Sequence, residues 1–530
     1  MYNEDRSFRA SKSATDHQPQ PKPQQFPKLH PPKWLLPVWD DVTEKYVIRD
    51  VSADEITQKL YRISNCSKFI VKNVGYKYSR VEKPEYPEFL NSGWTKVVHK
   101  FINADGKVVA LKSFNSAGND VMICYQKSKN NTKRYHQNSF FNNMVFSAKP
   151  SDDNGNSSNN INNNINNNTD TQFDGDDEDD DDETSHENVE MMMRCMKTVK
   201  WKLYKEAYIM HIMDHHSVAK LEDLCITNFN NFTSAPSSSP PSSSSSALIY
   251  STKLGEEVTL IKLLQLSWED RLKICYGVTK LLNYFHQSNN AFRRTILIND
   301  FRREQFVIVN NDVIISDLDD FTFEGQTCLK DEDCFVRGHN FSIACHEGTC
   351  LNWADTKNIL DAGSHFINIL LLPGSPTRMK QLASEIVQKF QNPVNASSPQ
   401  LLSMMENLVK VYSGGLYLTR NVSNDGDVHL SKTNRNAGRY RVKPGYDLPG
   451  HHDYQCSFTR NMIGCTLTVH DVIEAEEMCE AEKDCVAFVL SPLRSWTDRR
   501  YVHLKNNITK ETLKKVSGGY LTYFKNHIHI

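Results

Sequence analysis

The residues best suited to chemistry form two acidic sites, Asp300 with Gln305 and Asp317 with Asp319, separated by one short stretch of chain. A carboxylate can accept a proton from a reacting hydroxyl, and carboxylate and amide oxygens are ligands for hard divalent cations. Residues 306–315 carry β-branched side chains on both sides of an Asn-Asn-Asp turn, which predicts a hairpin. Because the two ends of a hairpin lie together, we expect these residues to converge.

The spacing of these residues matches the catalytic loop of protein kinases. In that signature, a catalytic Asp is followed five residues later by a metal-binding Asn and, beyond a hairpin, by Asp-Phe-Gly. This chain has Asp300, Gln305 and Asp317-Leu318-Asp319 at those positions. An acidic hairpin is more often a solvated turn, so the other parts of a nucleotide site must also be found upstream.

Lys112 is the candidate for the strand lysine that such a site requires. The segment 90–114 predicts two or three strands with a turn at Ala104-Asp105-Gly106, and the buried strand ends at Lys112. Ala110-Leu111-Lys112 resembles the V-A-I-K strand motif, whose lysine contacts nucleotide phosphates. We therefore expect Lys112 to be both a nucleotide-binding and a catalytic residue.

The turn before this strand is a weak glycine loop. Gly93 remains from the G-x-G-x-x-G pattern, whereas Asn91 and Lys96 stand where the first and third glycines belong. We expect Gly93 to lie beside the nucleotide and Val98 to cover its base. Both predictions are supported only by the fact that Gly93 and Val98 precede Lys112 in the chain, as the glycine loop precedes the strand lysine in kinases.

Glu206 lies in the middle of an amphipathic helix predicted from Trp201. We expect Glu206 to orient Lys112. The alternative is a surface pair with Lys202, four residues away on the same helix.

The remaining elements follow from the same patterns. Leu248-Ile249-Tyr250 predicts a strand whose connector passes the adenine edge, and Ser267 is the predicted N-cap of a long buried helix. Helical periodicity also occurs in Trp39–Arg62, Lys357–Leu372, Thr377–Gln391 and Ser398–Tyr412.

Three stretches are too polar to fold alone. Residues 1–36 are rich in Pro, Gln and Lys, residues 148–188 in Asn and Asp, and residues 233–246 in Ser and Pro. All three are predicted to be disordered. We expect the second to be a loop insertion whose base is closed by a Cys124–Cys195 disulfide.

The thirteen cysteines favour disulfides over zinc, because no C-x₂-C knuckle occurs. Disulfides imply an oxidising compartment. Besides Cys124 and Cys195, the candidates form two groups of open connectivity: Cys328, Cys334, Cys345 and Cys350, and Cys456, Cys465, Cys479 and Cys485.

Charge and hydropathy limit the partners. The formal net charge is −2, but nine acids between Asp174 and Glu183 leave a net +7 for the rest of the chain. This surplus suits phosphate-bearing ligands. The sequence contains no basic stripe interleaved with aromatic residues, so nucleic-acid binding is not predicted. No apolar run is long enough to span a membrane. Residues 1–32 show no signal peptide, so either the true start lies outside this sequence or the inferred compartment is wrong; we favour the first.

Residues 64–505 resemble the PKDCC, or vertebrate lonesome kinase, family of extracellular tyrosine-protein kinases, and in particular an invertebrate-like member. The resemblance rests on the C-x₅-C-x₁₀-C-x₄-C cluster and on SGWTKVV at 92, SWEDRLKIC at 267, DFRREQFVIV at 300, SDLDD at 316 and TVHDVIEAEEMCEAEKDCVAF at 468. The last stretch lies outside any kinase domain, which makes the resemblance specific.

The resemblance implies an α+β fold with three parts: a largely disordered extension with one helix (1–63), a bilobal protein-kinase-like domain (64–415), and a linker with a small disulfide-rich C-terminal module (416–530). It also implies transfer of the ATP γ-phosphoryl group to tyrosines of secreted or matrix proteins, in the Golgi lumen and outside the cell. By the same resemblance, Asp300 and Lys112 are catalytic, Gly93, Val98, Lys112 and Glu206 bind nucleotide, and Asp317, Gln305 and Asp319 hold Mg²⁺ or Mn²⁺.

The degraded glycine loop, Gln305 and Asp319 favour a second hypothesis, a catalytically inactive kinase-fold scaffold that binds nucleotide or secreted partners. Asn299 replaces the Arg of H-R-D, Gln305 has a longer arm than Asn, and Asp319 replaces the Gly of D-F-G. No A-P-E motif follows, so the four-cysteine cluster is expected to staple the segment that would be a mobile activation loop. We prefer the active kinase because the three charged residues that matter most, Lys112, Asp300 and Asp317, are present. A cytosolic kinase is a third hypothesis.

The C-terminal cysteines accompany a predicted helix, Val469–Cys479, and strands near 486–490 and 501–504, whereas residues 416–452 are polar and irregular. This pattern is similar to a PAN/apple module. Substrate binding and a structural cap are both compatible with it.

Overall fold

The computed structural model describes residues 33–40, 45–69, 87–130, 181–228, 246–286, 295–336, 338–339, 343–393, 396–418, 439–457 and 464–528. Helices and antiparallel strands both contribute, so the predicted mixed α and β content is confirmed. Within the described residues, no helix combines the length and the apolar character needed to traverse a bilayer.

The helices, in chain order, are α1 (Ala53–Ile63), α2 (119–130), α3 (Asp181–Ile212), α4 (Leu260–Gln265), α5 (Trp268–Phe285), α6 (Trp353–Ala362), α7 (Asn368–Leu370), α8 (Lys380–Gln391), α9 (Ser398–Ser413) and α10 (Val472–Ala481). The strands are β1 (Lys33–Asp40), β2 (Lys45–Ser52), β3 (Glu88–Ser92), β4 (Lys96–Ile102), β5 (Val108–Phe114), β6 (Asp223–Asn228), β7 (Ser246–Lys253), β8 (Glu256–Glu257), β9 (Leu297–Ile298), β10 (Phe306–Val309), β11 (Asp312–Ile315), β12 (Phe321–Thr322), β13 (Cys345–His346), β14 (Thr349–Cys350), β15 (Tyr440–Pro444), β16 (Tyr446–Asp447), β17 (Cys465–Val469), β18 (Ala487–Arg494), β19 (Arg500–Lys505), β20 (Lys514–Lys515) and β21 (Leu521–Lys525).

The first described residues form a hairpin. β1 pairs with β2 and α1 begins only at Ala53, so the prediction of a helix over Trp39–Arg62 is wrong for its first half. β1 also begins within the stretch predicted to be disordered at the N-terminus. The sequence of β2 is rich in β-branched and aromatic residues, which favour a strand. Helix α1 starts where it does because the Ser52 hydroxyl accepts a hydrogen bond from the Glu55 N–H.

A five-stranded antiparallel sheet in the order β3-β4-β5-β7-β6 forms the first region of the domain. The predicted turn joins β4 to β5, and Gly106 adopts a positive φ of 80° there. On the central strand β5, Lys112 lies directly opposite Val98 of β4 and Tyr250 of β7. The sheet register therefore sets the position of the predicted phosphate-binding lysine.

Helix α3, which carries Glu206, is much longer than predicted. It has 32 residues and begins at Asp181, inside the stretch 148–188 that was predicted to be disordered. That prediction is wrong for its last residues, which belong to the first turns of α3. Ser246, predicted to end the second flexible loop, belongs to β7. Residues 131–180 and 229–245 lie outside the described part of the chain, so the rest of both predictions is untested.

Helix α5 is the centre of the second, mainly helical region. Its start is capped as predicted, because the Ser267 hydroxyl accepts a hydrogen bond from the Asp270 N–H at 3.1 Å. Leu272, Val278 and Leu282 are buried along its length. The β10–β11 hairpin contacts α5, so this helix supports the predicted catalytic loop.

Three further predicted helices of this region are present with shifted bounds. α6 begins at Trp353 and is followed by a π-helical segment, Gly363–Ile367, before α7. The prediction of one continuous helix from Lys357 to Leu372 is therefore correct in type but wrong in its start and its regularity. α8 and α9 agree with the prediction to within a few residues.

Twelve of the thirteen cysteines form six disulfides, and the thirteenth, Cys275, is a buried free thiol. The predicted Cys124–Cys195 bridge is present and joins α2 to α3. Cys66–Cys225 was missed by the sequence patterns, because its partners are 159 residues apart. The other bridges are Cys328–Cys345, Cys334–Cys350, Cys456–Cys465 and Cys479–Cys485.

The C-terminal residues form a second five-stranded sheet, in the order β15-β21-β18-β19-β17, with α10. β15 and β16 lie inside residues 416–452, so the prediction of irregular chain is wrong for Tyr440–Asp447. The local pattern there is weak because β15 is formed by pairing with β21, near the end of the chain. Helix α10 starts later than the predicted Val469, since Asp471 caps it by accepting from the Glu474 N–H.

Buried polar contacts fasten this second sheet to the helical region. Arg499, 1% exposed, donates to the carboxylate of Glu474 at 2.8 and 2.7 Å and to the Tyr412 carbonyl at 3.0 Å. Glu269 of α5 accepts a hydrogen bond from the Thr468 hydroxyl. The C-terminal residues thus pack as a cap on α5 and α9.

Candidate functional site

Lys112 and Glu206 meet in the space between the first sheet and α3. Lys112 Nζ lies 3.1 Å from Glu206 Oε1 and also donates to the Ser316 carbonyl. Both side chains are buried, and Glu206 is fully so. The predicted pair therefore forms, and the alternative pairing of Glu206 with Lys202 does not, because Lys202 binds Asp120 at 2.8 Å.

A second lysine, Lys96, occupies the centre of the same site. Its Nζ lies 2.6 Å from Glu206 Oε2, 2.5 Å from Asp317 Oδ1 and 3.3 Å from Asp319 Oδ2. In the sequence Lys96 was considered only as a substitute for the third glycine of the loop. A signal for its role did exist, because alternate residues of a strand share one face and Val98 lies opposite Lys112.

The two aspartates that follow the hairpin differ in their electrostatics. Burial disfavours ionisation of Asp317, but the adjacent Lys96 and Lys112 outweigh it, and the pKa of Asp317 lies well below its usual value. Burial and the carboxylates of Asp317 and Glu206, against the opposing effect of Lys96, raise the pKa of Asp319 well above its ordinary value. Burial disfavours the charged form of Lys96, but the three carboxylates hold its pKa well above the ordinary value.

Asp300 connects to this cluster through Gln305. The Gln305 side-chain amide donates to Asp300, while the Gln305 carbonyl accepts hydrogen bonds from Ser316 N at 2.8 Å and Asp317 N at 3.3 Å. Arg302 also binds both oxygens of the Asp300 carboxylate through Nε and Nη2. The hairpin therefore brings Asp300, Gln305 and Asp317 together, as the spacing predicted.

Gly93 and Val98 lie on the strands above the cluster. The Gly93 N–H donates to the Lys96 carbonyl at 2.7 Å and closes the β3–β4 turn. A Cβ on Gly93 would meet only that carbonyl, at 3.5 Å, so the backbone does not require glycine here. Val98 is half-buried beside Lys112. Their predicted contacts with nucleotide stay predictions.

The turn that carries Lys96 is fixed from behind by α2 and α3. The Thr95 hydroxyl donates to Asp120 at 2.7 Å, and Asp120 also receives Lys202 from α3. Gly118, just before α2, approaches so closely that a Cβ would lie 1.9 Å from the Trp94 carbonyl. The backbone at Lys96 is therefore held rigidly.

The carboxylates of this site have the composition of a cation site. Glu206, Asp317 and Asp319 each offer an oxygen, and these oxygens lie within 4.8 Å of one another. Hard oxygen ligands of this kind suit Mg²⁺ and Mn²⁺. Glu206, predicted to orient Lys112 and to bind nucleotide, thus lies together with the two aspartates that were predicted to bind metal.

Comparison with known proteins agrees with the motifs. No family model matches the chain. Its sequence is 27% identical over 334 residues to the human "Extracellular tyrosine-protein kinase PKDCC", covering 61% of this chain and 62% of the human protein, so it spans less than two thirds of that relative. Among solved structures, an apo pseudokinase matches at 12% sequence identity over 61% of this chain and 90% of its own chain. The TM-score of 0.29 is too low to show a shared fold. The resemblance to the PKDCC family predicted from the motifs is thus confirmed by the sequence comparison.

Proposed function

We propose that this chain is a secretory-pathway protein-tyrosine kinase that transfers the γ-phosphoryl group of ATP to secreted or matrix proteins. The observation that carries the proposal is the convergence of Lys112, Glu206 and Asp317 from three separate parts of the chain. Phosphoryl transfer depends on alignment and charge neutralisation more than on covalent chemistry, so a site of this composition suits it. The two packed regions, the first sheet with α3 and the helices around α5, are the two lobes of the proposed kinase-like domain.

Each charged side chain has a role in this proposal. Lys112 binds the nucleotide phosphates and Glu206 fixes its position, as their 3.1 Å contact supports. Asp300 accepts the proton of the substrate hydroxyl, and Gln305 orients its carboxylate. Gly93 and Val98 border the nucleotide from above.

Asp317 and Asp319, with Glu206 close by, are the proposed holders of Mg²⁺ or Mn²⁺, which neutralises phosphate charge when bound. Gln305 was also predicted to hold metal. In the structure its amide nitrogen is directed to Asp300, which supports an orienting role and leaves metal binding as a prediction.

The compartment and the substrate class rest on two further observations. Six disulfides support an oxidising compartment, and the human relative is named an extracellular tyrosine-protein kinase. We therefore place the activity in the Golgi lumen and outside the cell. The two bridges at Cys328–Cys345 and Cys334–Cys350 directly follow the acidic hairpin, so the segment beside the substrate is stapled.

The test is transfer of labelled phosphate from ATP to a protein mixture from the secretory pathway, followed by phosphoamino-acid analysis. We expect phosphotyrosine with the unaltered chain and no transfer with Asp300→Asn. The matched control is Asp214→Asn, which removes an exposed carboxylate that pairs with Lys220 at the surface. Transfer that persists in Asp300→Asn would show that Asp300 is not the base.

A second function, an inactive kinase-fold scaffold, is favoured by one observation. Both oxygens of the Asp300 carboxylate are already bound by Arg302 and Gln305, which limits its use as a base. ATP binding without transfer, with both Mg²⁺ and Mn²⁺, would support the scaffold and exclude the kinase.

A further inference from the structure

Lys96 is a buried member of the charged cluster that the proposed reaction does not use. It is 6% exposed, and its Nζ lies 2.5–3.3 Å from one oxygen each of Glu206, Asp317 and Asp319. In the protein-kinase signature a glycine stands at this position of the loop, and glycine contributes no charge. The lysine therefore adds a positive charge at the centre of the acidic cluster.

These three carboxylates are also the proposed cation ligands. Oxygen ligands lie about 2.1 Å from Mg²⁺. An ion held by the same oxygens would therefore need the space between them that Lys96 Nζ takes. With Lys96 and Lys112 in place, a divalent ion would also raise the positive charge to four, against at most three carboxylates. Like charges at such short distances repel strongly.

We propose that Lys96 is a tethered competitor of the divalent cation: its ammonium group must leave Glu206, Asp317 and Asp319 before the ion binds, and it then contacts the nucleotide phosphates. The proposal rests on the proposed function. It assigns Lys96 two successive partners, carboxylates first and phosphates afterwards.

The surroundings of Lys96 permit a movement of the side chain alone. The backbone is held by the Gly93 N–H on the Lys96 carbonyl and by the Thr95 hydroxyl on Asp120. The Lys96 side chain itself has four rotatable bonds. When Lys96 leaves, Glu206 keeps a cationic partner, because Lys112 contacts its other oxygen at 3.1 Å. The two aspartates then lose the ammonium group that contacts them, and the incoming ion replaces it.

The experiment measures Mn²⁺ binding to the full-length chain without nucleotide, by the electron paramagnetic resonance signal of free Mn²⁺. In Lys96→Met the competitor is gone, so we expect Mn²⁺ to bind at least about tenfold more tightly. Lys96→Arg keeps the charge and should bind like the unaltered chain or more weakly. The control is Lys100→Met on the same strand, whose lysine pairs with Glu88 at the surface.

A second arm measures ATP binding in saturating Mn²⁺. There Lys96→Met should weaken ATP binding by about tenfold or more, since one phosphate partner is lost. The two effects have opposite signs. A merely structural role would weaken both equilibria, so this pattern identifies competition. If Lys96→Met is too unstable to titrate, the Mn²⁺-induced rise in its melting temperature should exceed that of the unaltered chain.

Two results would overturn the inference. One is Mn²⁺ binding to Lys96→Met that is unchanged or weaker than to the unaltered chain, and the other is undiminished ATP affinity. Either result is compatible with the proposed kinase activity, provided that the unaltered chain transfers phosphate. An unaltered chain that binds neither Mn²⁺ nor ATP refutes the proposed function itself.

Discussion

The ion pair between Arg499 and Glu474 should control the stability of the whole chain. Arg499 makes two short contacts to Glu474 and reaches the Tyr412 carbonyl at the end of α9, and its guanidinium lies 4.1 Å from the centre of the Tyr412 ring. Arg499→Met removes one partner of a buried pair and leaves the Glu474 carboxylate uncompensated. Breaking a buried ion pair in this way costs about 3–5 kcal/mol.

The assay is thermal unfolding of the disulfide-bonded protein, combined with limited proteolysis. A loss of this size lowers the melting temperature by about 6–10 °C, taking about 2 °C per kcal/mol for a large chain. We also expect proteolytic release of the C-terminal residues. Arg494→Met is the matched control, because Arg494 pairs with Asp498 at the surface, where such pairs contribute less than about 1 kcal/mol.

A double variant tests the cause of the loss. Replacing both partners, as Arg499→Met with Glu474→Gln, removes the isolated buried charge and should recover part of the stability. If the melting temperature of Arg499→Met lies within about 2 °C of that of the unaltered chain, the expected loss is absent, and the C-terminal residues are not held by this contact. A loss that the double variant does not reduce would show that packing, not charge, stabilises the cap.

Three further predictions concern other regions. Burial lowers the pKa of His215 to about 3 in the folded protein, whereas in the unfolded chain it is about 6.5. Between these values only the unfolded chain takes up the proton, so the free energy of unfolding should fall as the pH falls below about 6.5. Chemical unfolding between about pH 4 and 7 should show a smaller fall in His215→Asn. Burial raises the pKa of the Cys275 thiol to about 12, so mass spectrometry after alkylation should find one labelled thiol per chain only when the protein is unfolded first. Gly118→Ala forces the Trp94 carbonyl away and should weaken ATP binding by about tenfold, whereas Gly277→Ala, with no atom within 4 Å of the added Cβ, should not.

Local patterns were sufficient for the elements that position the acidic residues. The α5 N-cap and the β10–β11 turn depend on residues only a few positions apart, and both were predicted correctly. Asn310 and Asn311 adopt φ values of 53° and 63°, a conformation that Asn tolerates better than most residues. Because the hairpin is local, the approach of Asp300 to Asp317 was also accessible from the sequence.

Features formed by distant parts of the chain were not accessible in the same way. β15 is a strand because β21 pairs with it, and Cys66 meets Cys225 across 159 residues. The extra residues at the start of α3 follow a stretch of low complexity, where composition argues against any structure. For the strand and the disulfide, the stabilising partner lies too far along the chain for periodicity and capping patterns to reveal it.

Two of the departures from the kinase signature are in contact with each other. Lys96 stands at the third glycine of the loop and Asp319 at the glycine of D-F-G, yet Lys96 Nζ lies 3.3 Å from Asp319 Oδ2. Lys96 also contacts Glu206 and Asp317, so its charge is compensated even without Asp319, whereas an ionised Asp319 without Lys96 would lose the ammonium group that it contacts. The two substitutions thus belong to one charged cluster, and the loss of these glycines is not by itself a sign of decay. A degraded glycine loop therefore does not by itself favour the inactive scaffold, and the engagement of Asp300 by Arg302 and Gln305 is the stronger reason to test it.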